Sequence, residues 1–221
     1  MDSCSFRSFS SIVLVNRQSP IIIGYFCIKP TAVKRIAILA SGNGSNAQRI
    51  TEYLREHNSA EVGCIITNRK DAFVLERAAR LGVHSAIFPS SAFREGNEVL
   101  AFLEEMRIDF VVLTGFLLLI PECILTAYRG RILNIHPALL PGYGGKGMYG
   151  MRVHEAVIAA GETRSGITVH HVSSAYDEGT IIFRAECSVD PGDKPEDLAT
   201  KVHQLEYEHY PRVIEEMILA L

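Results

Sequence analysis

Residues 35–49 read RIAILASGNGSNAQR: a short apolar run, two glycines one residue apart, then a stretch with helical periodicity. Strand, tight turn and helix start in that order open a βαβ unit. Gly42, Gly44 and Ala47 also satisfy the loose G-x-G-x-x-A dinucleotide pattern. A dinucleotide site needs an acid at the end of the second strand, about 20 residues beyond the glycines, to bind the ribose hydroxyl. The next strand candidate ends IITNRK, with Asn68 and Arg69 where the acid would stand. What remains suits a single phosphate: the glycines let the backbone turn, and Ser45 and Asn46 begin a helix whose free N–H groups and positive dipole end attract an anion. A plain strand-to-helix turn capped by Ser45 and Asn46 stays open as the alternative.

The alternation continues outward. EVGCIIT (61–67), HSAIFP (84–89) and DFVVLTG (109–115) read as buried strands between helical segments. The fold class is therefore α/β, an open, mostly parallel twisted sheet with helices on both faces. In DAFVLERAARLGV, Phe73, Leu75, Ala78, Ala79 and Leu81 form the expected apolar stripe, with Asp71 as the N-terminal cap and Gly82 at the stop. RILNIHP (131–137) reads as another strand. The following PALLPGYGGKGMYG holds too many glycines and prolines for a regular element, so a long functional loop is expected. GITVHHV (166–172) and TIIFRAECSV (180–189) read as two strands joined by a turn. The C-terminal stretch from Pro195 is helical, with Leu198, Val202, Leu205, Val213 and Met217 inward and Pro211 expected to kink or restart it.

The 221 residues, 48% hydrophobic and 21% charged, allow a sizeable core, and a net charge of −3 gives no general attraction to nucleic acid. No apolar run reaches the ~18 residues that cross a membrane. Five scattered cysteines without a C-x-x-C argue against a disulfide framework or a thiolate zinc site and for a reducing, cytoplasmic setting. Residues 1–34, rich in Ser and Ile with Asp2 as their single acid, read as a non-core extension, disordered or a start-site artefact, with an organelle transit peptide as the alternative. The catalytic domain is expected over 35–221.

LNIHPALLP (133–141) carries the chemistry. Asn134 and His136 are two apart near a strand end, hence on one face, and Pro137 stops the strand at the sheet edge where ligands of open α/β sheets bind. Taken alone, Asp177 in YDEG reads as a turn former and Glu206 as a solvated helix acid. His203, Glu206 and His209 are expected to spread around their helix, so no metal site is read there. His170 and His171 point to opposite faces of a strand, so at most one faces the site.

ASGNGSN, GFLLLIP, ILNIHPALLP and YDEG, in this order and spacing, resemble the folate-dependent formyltransferase family, in particular its glycinamide ribonucleotide (GAR) formyltransferases of purine synthesis. The resemblance runs from about Arg35 to Tyr210. It implies a Rossmann-like formyltransferase fold, 10-formyltetrahydrofolate as co-substrate, no metal, and a monomer or homodimer. It further implies Asn134, His136 and Asp177 as catalytic residues, Gly44, Ser45, Asn46 and Glu206 on GAR, and a cis bond at Leu140-Pro141. Leu117, Leu118, Leu119, Ile120 and Asn134 would face the folate, with Arg94 near its glutamate tail. Leu118 stands where better-known members carry Arg, and GYGGKGMYGMRVHEA departs from their usual loop, which leaves Lys146 and His154 without an assigned role. In this reading a protonated His136, its pKa raised by Asp177, and the Asn134 amide stabilise the oxyanion while Asp177 takes the amine proton. The rival enzymes are formyltetrahydrofolate deformylase, which carries an N-terminal regulatory domain of about 80 residues, and methionyl-tRNA formyltransferase, which needs a basic RNA-binding domain. A non-catalytic nucleotide-binding module is the rival from another class.

Overall fold

The computed structural model describes residues 33–221. Seven strands form one sheet in the order β3-β2-β1-β4-β5-β6-β7. β1 (Lys34–Leu39), β2 (Ala60–Thr67), β3 (Ser85–Ile87), β4 (Phe110–Leu113) and β5 (Ile132–His136) run parallel, whereas β6 (Arg164–His171) and β7 (Ile181–Ser188) are antiparallel additions at one edge. Every strand read from the sequence is present. β1 begins one residue earlier than expected, and the expectation for residues 1–32 lies outside the described residues.

Period-2 alternation distributes β1, β2, β4 and β5 between two cores. Ile36 and Ile38 of β1 and Phe110 and Val112 of β4 pack with helices α1 (Ser45–His57), α2 (Val74–Leu81), α6 (Met151–Ala159) and α7 (Pro195–Leu219). Ala37 and Leu39, with Val111 and Leu113, pack on the opposite face with α3 (Ser90–Glu95), α4 (Asn97–Glu105) and α5 (Glu122–Ala127). This is the doubly covered sheet that near-continuous apolar runs demand. From β1 the chain moves to β2 and β3 on one side, then crosses to β4 on the other, so the crevice at the C-terminal ends of β1 and β4 is a topological switch point.

Two helix readings need correction. Asp71 does not cap α2, because its carboxylate pairs with Arg69; Phe73 occupies the N-cap and Gly82 closes the helix in the left-handed region as expected. Phe73 and Ala79 are exposed and Val74 and Ala78 make the buried stripe, since the helix starts later than its capping pattern suggested. α7 continues past Pro211 as one helix, so the chain does not restart there. An interior proline costs about 3 kcal/mol, yet Tyr210, Val213 and Ile214 around it are buried, and each such side chain returns about 1.5–3 kcal/mol. The Tyr210 hydroxyl also donates to the Leu113 and Leu133 carbonyls, tying α7 to the ends of β4 and β5.

Candidate active site

One cleft of about 590 Å³ opens at the switch point, lined by the 42–46 turn, the 113–120 stretch, β5, the loop after it and α7. Between His136 and Met151 the chain forms no helix or strand, as the glycine and proline content required. The Leu140-Pro141 bond is cis.

Gly44, with φ of 74°, turns the chain from β1 into α1, and neither Ser45 nor Asn46 caps the helix with its side chain. The first-turn N–H groups of α1 therefore remain available to an anion. Asn46 instead donates from Nδ2 to Glu206 Oε2 at 2.8 Å. That acid is buried rather than solvated, and burial pushes its carboxyl above the ordinary value, with the Asn46 bond and His203 pulling back. His203 also lines the cleft, 4.0 Å from Glu206, because positions three apart are neighbours on a helix. The expected scatter of His203, Glu206 and His209 holds only for His209, whose ring packs on Phe183. Among the described residues no group of three or more His, Cys, Asp or Glu side chains is placed to hold a metal ion.

At the end of β5, Asn134, His136 and Asp177 meet, although Asp177 is 41 residues beyond His136 in the chain. His136 Nδ1 lies 3.4 Å from Asp177 Oδ2, and Asn134 Nδ2 donates to Asp177 Oδ1 at 3.4 Å. Asp177 sits at φ 57°, a left-handed turn position, so the turn-former reading and the site reading are both true of it. Burial alone would raise its carboxyl. The bond with His170, the His136 ring and the Gly145 N–H outweigh this, and the group stays below its ordinary value and ionised at neutral pH.

His136 overturns an expectation. Its Nε2 reaches the Tyr143 carbonyl at 2.8 Å, and the ring is almost wholly buried. Burial holds its pKa below the ordinary imidazole value; Asp177 and the Tyr143 carbonyl pull upward without reversing this. The ring is neutral at pH 7, with Nε2–H as its donor.

His170 is the residue that sequence reasoning left undecided. Its Nδ1 bonds to the His171 carbonyl at 2.8 Å, and its Nε2 lies 3.1 Å from Asn134 Nδ2 and 3.6 Å from Asp177 Oδ1. The β5–β6 register pairs Asn134 with His170, so the antiparallel pairing was the signal that could have picked it over His171.

Leu117, Leu118, Leu119 and Ile120 all line the cleft, Leu117 and Leu119 exposed and Ile120 buried. The Leu117 N–H already bonds Ser41 Oγ at 3.1 Å. Arg94 is exposed on α3 and is not brought to the cleft wall.

Residues 34–214 match the family model described as formyl transferase. A phosphoribosylglycinamide formyltransferase of Arabidopsis thaliana chloroplasts is 38% identical over 187 residues, 82% of this chain and 64% of that protein, so the chain spans less than two thirds of its length. The Bacillus subtilis phosphoribosylglycinamide formyltransferase is 35% identical, covering 84% of this chain and 95% of its own. The crystal structure of glycinamide ribonucleotide transformylase 1 from Symbiobacterium toebii superimposes with a TM-score of 0.78 at 34% identity, covering 85% of this chain and 89% of that one.

Proposed function

The chain belongs to the formyl transferase family, and on that premise we propose that it moves the formyl group of 10-formyltetrahydrofolate onto the amino group of GAR. The observation that carries the reading is the convergence of Asn134, His136 and Asp177 in the same cleft as the uncapped start of α1. One end suits a phosphate, and the other suits acyl transfer.

The GAR amine attacks the formyl carbon, the carbonyl π electrons move onto oxygen, and collapse of the adduct expels folate N10, which takes up a proton as the amine gives one up. The oxyanion is met by the Asn134 Nδ2–H that now reaches Asp177 Oδ1 at 3.4 Å and by the Nε2–H of a neutral His136. The formyl oxygen takes the acceptor's place that the Tyr143 carbonyl now holds on that nitrogen. Asp177, ionised, accepts the amine proton directly or through water. His170 keeps the Asn134 amide turned. The exposed leucines of the 117–120 stretch offer the pterin an apolar wall, and Glu206 with Asn46 takes the sugar and glycinamide end. A cytoplasmic setting is part of the proposal, in keeping with the free thiols of Cys64, Cys123 and Cys187.

The test is formyl transfer itself, with 10-formyltetrahydrofolate supplied with and without GAR. Tetrahydrofolate appearing only with GAR is the expected result, product without GAR would indicate a deformylase, and none in either case a binding module. The pH profile separates the two protonation states of His136. A neutral donor whose pKa is lowered keeps kcat/KM level down through the ordinary imidazole pKa of 6.5 and loses it only at lower pH; a required imidazolium gives a rise on acidification instead.

A further inference from the structure

Lys146 and Arg152 line the cleft and have no part in formyl transfer as proposed. The two acids that line it are already engaged, Asp177 by the Gly145 N–H and the Asn134 amide, Glu206 by Asn46. The Arg152 guanidinium lies 5.0 Å from the centre of the Tyr149 ring, which leaves its N–H edges open. Among the described helices of eight or more residues, only α1 and α6 start with no acid in the first turn, and both starts line this cleft. A further sign comes from His154, two residues beyond Arg152. It is 2% exposed, it lines the cleft, and its Nδ1 has no hydrogen-bond partner among the described residues. A buried polar atom left unpaired costs about 1–3 kcal/mol, a cost carried here directly behind the two cations of the wall.

The position of the wall selects which part of the substrate it meets. Tyr143 and Val157 pack into the same core as α1 and α7, and α6 packs on α7, which holds Asn46 through Glu206. Phe116 and Ile120 belong to the core on the opposite face of the sheet. The cations therefore share a face with the α1 turn and not with the proposed folate wall.

We infer that the 145–152 segment is the second wall of the phosphate site, Lys146 and Arg152 holding the substrate's phosphate together with the start of α1. This rests on the reading that the cleft takes GAR. Two uncapped helix starts and two cations balance a dianion, which the α1 turn alone, carrying no formal charge, does not.

The test titrates ribose 5-phosphate, and ribose as the control, into the full chain by calorimetry at low ionic strength, for the wild type, Lys146→Met and Arg152→Met. Thermal melts verify that the variants are folded. Each substitution is expected to weaken ribose 5-phosphate about tenfold, to raise KM for GAR in proportion, and to leave KM for 10-formyltetrahydrofolate unchanged. Wild-type affinity in both variants, no binding by the wild type, or a rise in the folate KM alone would overturn the inference. If ribose 5-phosphate binding depends on the two cations but GAR is not formylated, the inference stands and the formyl-transfer reading falls. If both variants formylate GAR with the wild-type KM, the reading stands and the inference falls.

Discussion

The 42–46 turn and the 138–150 loop both line the cleft, and they are held in place by different things. The turn is locked from behind. Val74 N–H donates to the Gly42 carbonyl at 3.2 Å, and Arg77 grips Asn43 through its carbonyl and its side-chain oxygen at 2.9 and 2.7 Å. Val74 and Arg77 are themselves outside the cleft lining. The loop is held in part by the site itself, by His136 on the Tyr143 carbonyl and by Asp177 on the Gly145 N–H, and in part from behind, by Arg184 on the Leu140 carbonyl, Thr168 on the Leu140 N–H and the Ala138 carbonyl, and Glu162 on the Tyr143 hydroxyl. The turn is a preformed nest, whereas substrate entering beside the loop must exchange contacts that the catalytic groups already make.

The largest effect should come from removing the base on the loop side while keeping its contact with the loop. Asp177→Asn keeps an oxygen for the Gly145 N–H, and asparagine tolerates the φ of 57°; what it removes is the base. Single-turnover rates are expected to fall about 100- to 10,000-fold, with ribose 5-phosphate affinity unchanged. A variant that retained its rate would remove Asp177 from the proton path and make the loop contact its whole purpose.

On the turn side the decisive test is Gly44→Ala. A Cβ there would come within 2.3 Å of Val74 Cγ2, at a φ of 74° that L residues adopt reluctantly. Strain and displacement together should cost about 3 kcal/mol, read as a lower urea midpoint and a loss of ribose 5-phosphate binding. Wild-type behaviour would mean that the nest is not rigid and that the contrast between the two regions fails.

How much of this was legible follows the range of the interactions involved. The strands, the glycine turn, the irregular loop and the Asn-x-His pair are local patterns and were readable. The protonation state of His136 was not, because proximity to Asp177 is suggested by sequence resemblance while the burial that outweighs it arises only in the folded chain, where the loop closes on the ring through the Tyr143 carbonyl. The Asp71 cap failed for a similar reason, since Arg69 competes for the carboxylate. Glu206 looked solvated on its own helix, and only the 2.8 Å bond from Asn46, 160 residues earlier, shows why it is inside.

The smallest effect separates the two walls by acid. The α1 side buries Ala47, Ile50, Thr51 and Leu54, none of which titrates; the helix that ends the loop buries His154, whose pKa burial lowers to about 4 from an ordinary 6.5, with His203 and His136 adding to the shift. A folded-state pKa below the unfolded one means that the unfolded chain binds the proton more readily, so the neutral ring's stability is fully present above the unfolded value and lost as pH falls toward the folded one. Between pH 7 and pH 5 this single group should remove about 2 kcal/mol. Glu206, its pKa raised, works in the opposite direction over part of the same range, so the wild-type curve alone does not isolate His154. His154→Leu does, because Glu206 is common to both proteins. The variant's urea stability should fall less than the wild type's between those two pH values, and amide exchange at pH 5 should rise in α6 before it rises in α1. Equal acid losses in the two proteins would mean that the ring already takes up a proton in the folded state, and the loop wall would then be no more acid-sensitive than the turn.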